Sequence, residues 1–243
     1  MSGIAVFGSE GRMGRLVREA AGKSVLACYD FLPPGLPADS PLPPDVDVVI
    51  EFTLPGAWSD LDRLLSGTDA ALVSGTTGIG PDGQALLEKW ADERAVFRAV
   101  NMSIGIHVLG RLLRNAGRLL SDSFDLEVVE FHHGGKVDSP SGTALDLVEI
   151  WEGTGGGGRR VSGRSGPTGP RDRGETGIHS VRGGDVAGEH QLHLLGSGER
   201  LLLAHSATGR GTFASGAVRA ADYIREKPPG LYGMDDLLGG GAG

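Results

Sequence analysis

The chain has 243 residues, and its 31 acidic side chains outnumber its 23 lysines and arginines, which gives a formal net charge of −8. This length fits one large domain or two modest ones. The single cysteine excludes a disulfide framework and a multi-cysteine zinc site, and the acidic balance argues against sequence-independent nucleic-acid binding. No apolar run reaches the ~20 residues of a membrane span, and the first residues lack the features of a signal peptide. We therefore expect a cytoplasmic protein with no membrane or nucleic-acid partner.

The first hundred residues alternate short apolar runs with stretches of helical spacing around Leu16, Leu61 and Leu87. Continuous apolar strands with intervening helices predict a parallel sheet that is covered on both faces. The segment Phe31–Pro44 holds six of the 13 prolines, so we expect a loop there in place of one crossover helix. The predicted strands are Ile4–Phe7, Val25–Tyr29, Val46–Phe52, Ala70–Val73 and Ala95–Val100.

The pattern changes after Asn101, and the best domain boundary lies near residue 102. Glycines make up five of the six residues of Gly153–Gly158, which predicts a flexible loop. Around it we expect a long helix, a strand, a second helix, a mostly antiparallel sheet and a closing helix. Their predicted ranges are Ile104–Leu120, Leu126–Phe131, Gly142–Trp151, then Gly177–Arg182, Glu189–Leu195 and Arg200–His205 for the sheet, and Phe213 to Ile224.

The predicted fold is α/β in two domains. Residues 1–102 form an N-terminal Rossmann-like domain with a doubly wound parallel sheet. The closing helix and the rest of the chain, about 212–243, return to this domain. Residues 103–211 form a second, α+β domain with a mostly antiparallel sheet.

A glycine loop, G-S-E-G-R-M-G from Gly8 to Gly14, follows the first predicted strand and opens a helix. Glycines let the backbone approach a pyrophosphate, and the helix N-terminus offers free N–H groups to the anion. Asp30 ends the second strand, where a carboxylate accepts hydrogen bonds from a ribose. Each glycine also suits an ordinary turn, but the order of strand, loop, helix, strand and acid predicts a dinucleotide site.

Two more loops follow predicted strands of the same sheet. Gly75-Thr76-Thr77-Gly78 follows the fourth strand, and Asn101 follows the fifth. Ligands of doubly wound sheets bind at the carboxyl ends of the strands, so these residues are expected to line the same cleft. Turn chemistry alone is the alternative explanation for each.

Residues 130–145, E-F-H-H-G-G-K-V-D-S-P-S-G-T-A-L, are the most informative stretch. His132 can donate a proton near neutral pH, and Lys136 supplies a positive charge for a substrate anion. Ser141, Gly142 and Thr143 place small residues at a helix N-terminus, which suits a carboxylate. These groups suit the reduction of a small anionic compound held against a nicotinamide.

Each of these residues also has an ordinary explanation: a structural histidine, a solvated lysine and a helix-capping serine. A metal is not expected, because adjacent histidines on one strand point to opposite faces. We interpret His179, His190, His193 and His205 as structural, with His190 the least certain.

The segment from Glu130 to Leu145 resembles the signature of the dihydrodipicolinate reductase family of bacterial lysine and diaminopimelate synthesis. Further similar stretches cover nearly the whole chain, among them Asn101 to Gly105 and Gly188-Glu189-His190. The resemblance implies hydride transfer from NAD(P)H to C4 of a cyclic unsaturated imine dicarboxylate. It also implies a homotetramer assembled through the second domain, which would bind the substrate.

The resemblance implies a role for each residue that matches the family pattern. His132 would donate the proton and Lys136 would hold a substrate carboxylate, so these two are the expected catalytic residues. The dicarboxylate substrate would be bound by His133, Lys136, Ser141, Gly142 and Thr143. The nicotinamide cofactor would be bound by Gly8, Ser9, Glu10, Gly11, Arg12, Met13, Asp30, Gly75, Thr76, Thr77, Ala99, Val100, Asn101 and Met102.

Two residues depart from the family pattern: His107 replaces a usual Asn and Met102 a usual Phe. Asp30 would repel a 2′-phosphate, and no cation follows it in Phe31-Leu32-Pro33-Pro34. We therefore expect NADH to be preferred and NADPH to be accepted more weakly, with Arg12 as the one nearby cation. The alternatives are another two-domain nicotinamide-dependent reductase of a small acid, or an inactive NAD(H)-binding sensor.

Overall fold

The structure, a computed structural model, describes residues 3–30, 35–37 and 39–239. The chain divides into two compact units: one combines the chain up to Ile104 with the chain from Arg210 onward, and the other is Gly105–Gly209. Among the described residues, no helix has the length and apolar character that a membrane span requires.

The described residues form eleven strands, seven α-helices and two short 3-10 helices, Gly22–Ser24 and Pro55–Ala57. The strands are β1 (Gly3–Phe7), β2 (Val25–Tyr29), β3 (Val46–Glu51), β4 (Ala71–Ser74), β5 (Ala95–Arg98), β6 (Asp125–His132), β7 (Arg159–Ser162), β8 (Glu175–Arg182), β9 (Gly188–Leu195), β10 (Arg200–Ala207) and β11 (Gly230–Tyr232). The helices are α1 (Arg12–Ala21), α2 (Trp58–Leu65), α3 (Gly80–Glu93), α4 (Ile104–Leu120), α5 (Gly142–Glu152), α6 (Gly211–Ile224) and α7 (Met234–Leu237).

The first unit contains a six-stranded parallel sheet in the order β11-β5-β4-β3-β1-β2. Side chains of a strand alternate between the two faces of its sheet. Ile4 and Val6 therefore share a core with α1 and α6, whereas Ala5 and Phe7 share another with α2 and α3. Helices on both faces confirm the predicted doubly wound α/β fold.

The topology of this sheet creates a crevice at the carboxyl end of β1. Its neighbours β2 and β3 lie on opposite sides, so the connections that leave β1 and β3 diverge there. In the described parts of the proline-rich segment, 35–37 and 39–44, there is no helix, and Leu36 forms a single bridge with Tyr29. Phe31–Pro34 and Ala38 lie outside the described residues.

The second unit contains a five-stranded sheet in the order β10-β9-β6-β8-β7. The expectation of a mostly antiparallel sheet is wrong: β6–β9 and β9–β10 are antiparallel, but β6–β8 and β7–β8 are parallel. Helix α5 lies between β6 and the next strands, and such a crossover returns the chain in the same direction. The sheet is therefore mixed.

Helices α4 and α5 share a core with one face of the second sheet. On α4, Ile106, Leu109 and Leu113 follow the spacing of one helix face and are buried with Leu126 and Val128 of β6. We call this the helix face of the sheet, and the other the open face. Because side chains alternate along β6, Glu130 and His132 lie on the helix face and Glu127 on the open face.

Candidate active site

The glycine loop follows β1 and leads into α1, as predicted. Gly8 has a positive φ of 80°, and a Cβ built there would stand 2.7 Å from Cγ2 of Thr53. A Cβ on Gly14 would overlap the carbonyl oxygen of Gly8. Only glycine fits these two positions, because the backbone turns too tightly for a side chain.

The loop also fits a bound dinucleotide by its polar groups. Ser9 is fully buried, and its Oγ atom has no hydrogen-bond partner among the described residues. Arg12 is exposed at the first position of α1, where N–H groups lack helical partners. A buried hydroxyl, a glycine turn and a helix N-terminus together suit a pyrophosphate.

Asp30 lies beside this loop and is fixed by it. The backbone N–H of Glu10 donates to Oδ2 of Asp30 at 2.7 Å, which holds that carboxylate at the end of β2. The Glu10 side chain binds Arg18 and lies 3.4 Å from Arg15, so it pairs with the two further cations of α1. Met13 is partly buried against the core.

The loop after β4 surrounds a buried carboxylate that sequence reasoning left without a role. Glu51 is fully buried at the end of β3 and accepts hydrogen bonds from the hydroxyls of Ser74 (2.5 Å), Thr76 (2.7 Å) and Thr53 (2.9 Å). A Cβ on Gly75 would overlap the Phe52 ring. Glu51 thus ties the ends of β3 and β4 together, while Thr77 is exposed beyond it.

The residues after β5 differ in exposure. Ala99 is buried and donates its N–H to the carbonyl of Ser74, whereas Val100 is exposed. Asn101 Oδ1 accepts the N–H of Ser103 at 2.9 Å. The Met102 side chain lies in the core, so only its backbone is placed to meet a cofactor.

The histidine–lysine segment connects the end of β6 to the start of α5 within the second unit. Nδ1 of His132 lies 2.5 Å from Oε2 of the fully buried Glu130. Arg182 of β8 donates to both oxygens of Glu130, at 2.8 and 2.6 Å. Burial opposes ionisation of Glu130, but hydrogen bonds from Arg182, Ser180 and His132 outweigh it and lower its pKa to about 2.

Burial lowers the pKa of His132, and although Glu130 opposes this shift, Lys136 and Arg182 reinforce it. Lys136 pairs with the exposed Asp138 at 2.8 Å, and this hydrogen bond lowers the pKa of Asp138. His133 is partly exposed, and its backbone N–H donates to Val186. In the part of the chain that the structure describes, the cation of Lys136 is therefore paired with a surface carboxylate alone.

Helix α5 begins directly after Ser141. The Ser141 hydroxyl accepts the N–H of Ala144 at 3.2 Å, which makes it the N-cap. Gly142 and Thr143 are the first residues of the helix, and a Cβ on Gly142 would meet nothing within 4 Å. This open helix N-terminus suits a carboxylate ligand.

His190, the least certain of the four histidines interpreted as structural, lies beside His132 and Ser141. Its ring lies edge-on to that of His132 with centroids 5.3 Å apart, and its Nε2 is 3.2 Å from the Ser141 hydroxyl. Burial and the nearby His132 lower its pKa to about 4, so it is neutral near pH 7. His179 and His193 instead lie on the open face, beside Glu127 and Gln191 respectively.

The structure brings His132, His133, Lys136, Ser141, Gly142 and Thr143 into one loop and helix start of the second unit. The predicted cofactor residues lie at the carboxyl edge of the parallel sheet in the first unit. Sequence reasoning missed Glu130, although it is two residues before His132 and hence on the same strand face. It also missed Arg182, for which the sequence carries no local signal. Within the described ranges, no group of three or more His, Cys, Asp or Glu side chains is arranged to hold a metal ion.

Comparison with known proteins identifies the family. The family model "Dihydrodipicolinate reductase, N-terminus" matches residues 39–102, and "Dihydrodipicolinate reductase, C-terminus" matches 105–238. The 4-hydroxy-tetrahydrodipicolinate reductase of Wolinella succinogenes is 39% identical over 98% of this chain and 100% of its own length. That of Alkalilimnicola ehrlichii is 40% identical over 97% of this chain and 98% of its own.

A solved structure shows the same fold. It is a dipicolinate-bound dihydrodipicolinate reductase from Paenisporosarcina sp. TG-14, with a TM-score of 0.77 at 21% identity. The match covers 98% of this chain and 100% of that one. From the family models and the full-length relatives, the chain belongs to the dihydrodipicolinate reductase family.

Proposed function

We propose that this chain catalyses the reaction that its relatives' names describe, the NAD(P)H-dependent reduction of a cyclic unsaturated imine dicarboxylate to tetrahydrodipicolinate. The observation that carries the proposal is the grouping of a carboxylate-bound His132, Lys136 and the open start of α5 in one segment of the second unit. A proton donor, a cation and an anion-binding helix end are what the reduction of a dicarboxylate needs.

The chemistry requires one hydride and one proton. When bound, a reduced nicotinamide would supply the hydride, which the substrate would accept at C4, the far carbon of its conjugated C=C–C=N system. The electron pair then moves toward the ring nitrogen and the carbon next to C4. His132 gives its Nε2 proton to that carbon, which completes the reduction, and is protonated again from water. Lys136 stabilises the negative charge that develops in the ring and pairs with a substrate carboxylate.

The substrate carboxylates are assigned to the start of α5. Backbone N–H groups of Gly142 and Thr143 would bind one carboxylate, with the Ser141 cap fixing the helix end. His133, in the loop between β6 and α5, would add a further hydrogen bond. In this proposal the second unit, given by the sequence as 103–211, binds the substrate, and residues 1–102 with about 212–243 bind the cofactor.

The direct test follows absorbance at 340 nm while a synthase generates the unstable substrate from pyruvate and aspartate semialdehyde. We expect the purified chain to consume NAD(P)H only when that substrate is supplied. His132→Gln should abolish most of this turnover while leaving nucleotide binding intact. A wild-type protein that binds NAD(P)H but never oxidises it would instead identify a nucleotide sensor.

NADH is proposed as the preferred cofactor. Support comes from Asp30, which the Glu10 N–H holds in place, and from Glu10, which engages Arg15 and Arg18. A 2′-phosphate would meet the Asp30 charge, so we expect roughly ten-fold discrimination, or about 1.4 kcal/mol. This preference is tested by dissociation constants and kcat/KM for both cofactors, measured at low ionic strength because salt would screen the repulsion. An equal or higher value with NADPH would assign phosphate binding to Arg12, and Arg12→Ala would then remove it.

A homotetramer built through the second sheet, and a cytoplasmic location, complete the proposal. The open face and the edge strand β10 present apolar side chains, with Val181 42% and Leu202 55% exposed. Light scattering after gel filtration should give four times the chain mass of 25.2 kDa. A monomeric mass at micromolar concentration would rule the assembly out.

A further inference from the structure

Glu130 binds Nδ1 of His132, whereas the proposed proton-transfer atom is the other ring nitrogen, Nε2. The two residues are separated by one position on β6, so their side chains share the helix face. Oε2 of Glu130 accepts from Nδ1 of His132 at 2.5 Å and from Arg182 at 2.8 Å. Its Oε1 accepts from Arg182 at 2.6 Å and from the backbone N–H of Ser141 at 3.2 Å.

The charge state of Glu130 decides which nitrogen of His132 carries hydrogen. With its pKa near 2, Glu130 is an ionised carboxylate at neutral pH and can only accept hydrogen bonds. Nδ1 of His132 must therefore be the donor. A neutral imidazole has a single N–H, so Nε2 is the atom that gains and loses the proton.

Nε2 of His132 is left clear to meet a ligand. Among the described residues it forms no hydrogen bond, and a Cβ built on Gly188 would stand 3.1 Å from it. Glycine at position 188 thus leaves the atom uncovered. The Glu130 carboxylate, which orients the ring, also accepts the backbone N–H of Ser141, the residue just before α5. It therefore links the proton donor to the proposed carboxylate site.

We propose that Glu130 is a positioning residue: it fixes the Nδ1–H tautomer and the ring orientation of His132 and stabilises the imidazolium, so that the proton leaves from Nε2. The inference deepens the proposed function and rests on the role assigned there to His132. Arg182 holds the carboxylate in place with two hydrogen bonds and also donates to the carbonyl of Asp138 at 2.8 Å.

The chain contains a matched control three residues earlier. Glu127 lies on the open face of the same strand and binds His179 at 2.7 Å, Arg164 at 2.9 Å and Arg171 at 3.1 Å. Burial opposes its ionisation, but Arg164, His179 and Arg171 lower its pKa to about 2 as well. Glu127→Gln therefore removes the same charge from a similar cluster that faces away from His132.

The test compares Glu130→Gln with Glu127→Gln in the full chain. Glu130→Gln should lower kcat by roughly 10²–10³-fold, the lower part of the ~10²–10⁴-fold that general acid catalysis contributes, with little change in the dissociation constant of pyridine-2,6-dicarboxylate. Because the carboxylate charge favours protonated His132, its loss should move the basic limb of the kcat profile to lower pH. Glu130→Asp should keep the wild-type profile at reduced kcat, and Glu127→Gln should change neither.

A second readout does not depend on turnover. Long-range ¹⁵N–¹H spectra of the histidines, with His132 assigned from the His132→Gln variant, should show hydrogen on Nδ1 in the wild type and on Nε2 in a substantial fraction of Glu130→Gln. An Nε2–H tautomer in the wild type overturns the inference, as does an unchanged kcat in Glu130→Gln. If His132→Gln keeps full turnover, the proposed role of His132 fails instead.

Discussion

On each face of strand β6, a glutamate of the strand binds a histidine and one or two arginines, and the two clusters differ in what surrounds them. We call Glu130, His132 and Arg182 the site cluster, and Glu127, His179, Arg164 and Arg171 the open-face cluster. Both carboxylates have a pKa near 2. Residue types and electrostatics therefore do not distinguish them.

The neighbours of the two clusters do distinguish them. The site cluster has an uncovered histidine nitrogen, the start of α5 and a lysine whose partner lies at the surface. In the open-face cluster, the two arginines also bind Glu175 and Asp125, so their charges are neutralised within the protein. We infer that the reaction takes place on the helix face, where polar groups remain available to a ligand. The open-face cluster, by the same inference, anchors the chain between β7 and β8.

Apart from the His132 and Glu130 variants, the largest expected effect comes from Lys136, whose partner Asp138 lies at the surface. Lys136→Ala should lower kcat/KM by about 100-fold, since a lost preorganised charge costs ~3 kcal/mol in the transition state. Its stability should change by less than about 1 kcal/mol, because the pair with the half-exposed Asp138 is a surface ion pair. Initial rates and urea unfolding measure the two effects. A variant with near-normal kcat/KM would remove Lys136 from the reaction.

The two carboxylates should contribute similarly to acid stability. Each has a folded-state pKa near 2 against an ordinary 4.5, so its stabilisation is complete above pH 4.5 and is lost as the pH falls toward 2. A shift of this size corresponds to about 3 kcal/mol for each group.

Urea unfolding between pH 6 and pH 3 tests this equality. Glu127→Gln and Glu130→Gln should each flatten the dependence of unfolding free energy on pH by a similar amount. If only one variant flattens this dependence, the carboxylate of the other cluster does not have the low folded-state pKa that its contacts indicate. His190, with its pKa lowered to about 4, contributes a separate loss of stability as the pH falls from 6.5 to 4. Glu130→Gln should deepen that loss, because the Glu130 charge raises the pKa of His190.

The fold was largely predictable, because the apolar runs and helical spacing of the first hundred residues match a doubly wound sheet. Two strands were missed for physical reasons. β11 has three residues and pairs only with β5, far away in the sequence. β7, R-R-V-S, is largely exposed and has no apolar pattern. The parallel pairing of β8 with β6 depends on the position of α5, which strand propensity does not determine.

The candidate site was predictable only where it is local in sequence. His132, Lys136 and Ser141 lie within one motif, and Glu130 was recognisable from the two-residue repeat of a strand. Arg182 and His190 reach His132 through the strand register, which pairs His132 with Arg182 and Glu130 with His190. That register follows from the whole sheet and not from any segment.

A smaller effect is expected from one glycine beside each cluster. A Cβ on Gly177 would overlap the carboxylate of Glu127, whereas a Cβ on Gly188 would stand 3.1 Å from Nε2 of His132. Gly177→Ala should therefore lower stability by about 1–3 kcal/mol and leave kcat unchanged. Gly188→Ala should lower kcat, on the order of ten-fold, because the Cβ crowds the proton-transfer atom and the positive φ of 157° disfavours any side chain there. If Gly188→Ala retains kcat, Nε2 does not face the substrate.

The smallest effect should come from a single arginine of the open-face cluster. Arg164 bonds Glu127 at 2.9 Å and Glu175 at 3.0 Å, but its removal leaves Glu127 bound to Arg171 and His179, and Glu175 bound to Arg159. Because both carboxylates keep a cationic partner, Arg164→Ala should cost about 1 kcal/mol, or roughly 2–4 °C in Tm for a chain of this length. Thermal unfolding at low and high salt measures the loss, which should shrink in high salt as the ion pairs are screened. Arg164→Lys is the control, since it keeps the charge but cannot bridge two carboxylates with one planar group. A loss above about 3 kcal/mol, or any fall in kcat, would show that the open-face cluster is not redundant and that the two faces of β6 are coupled.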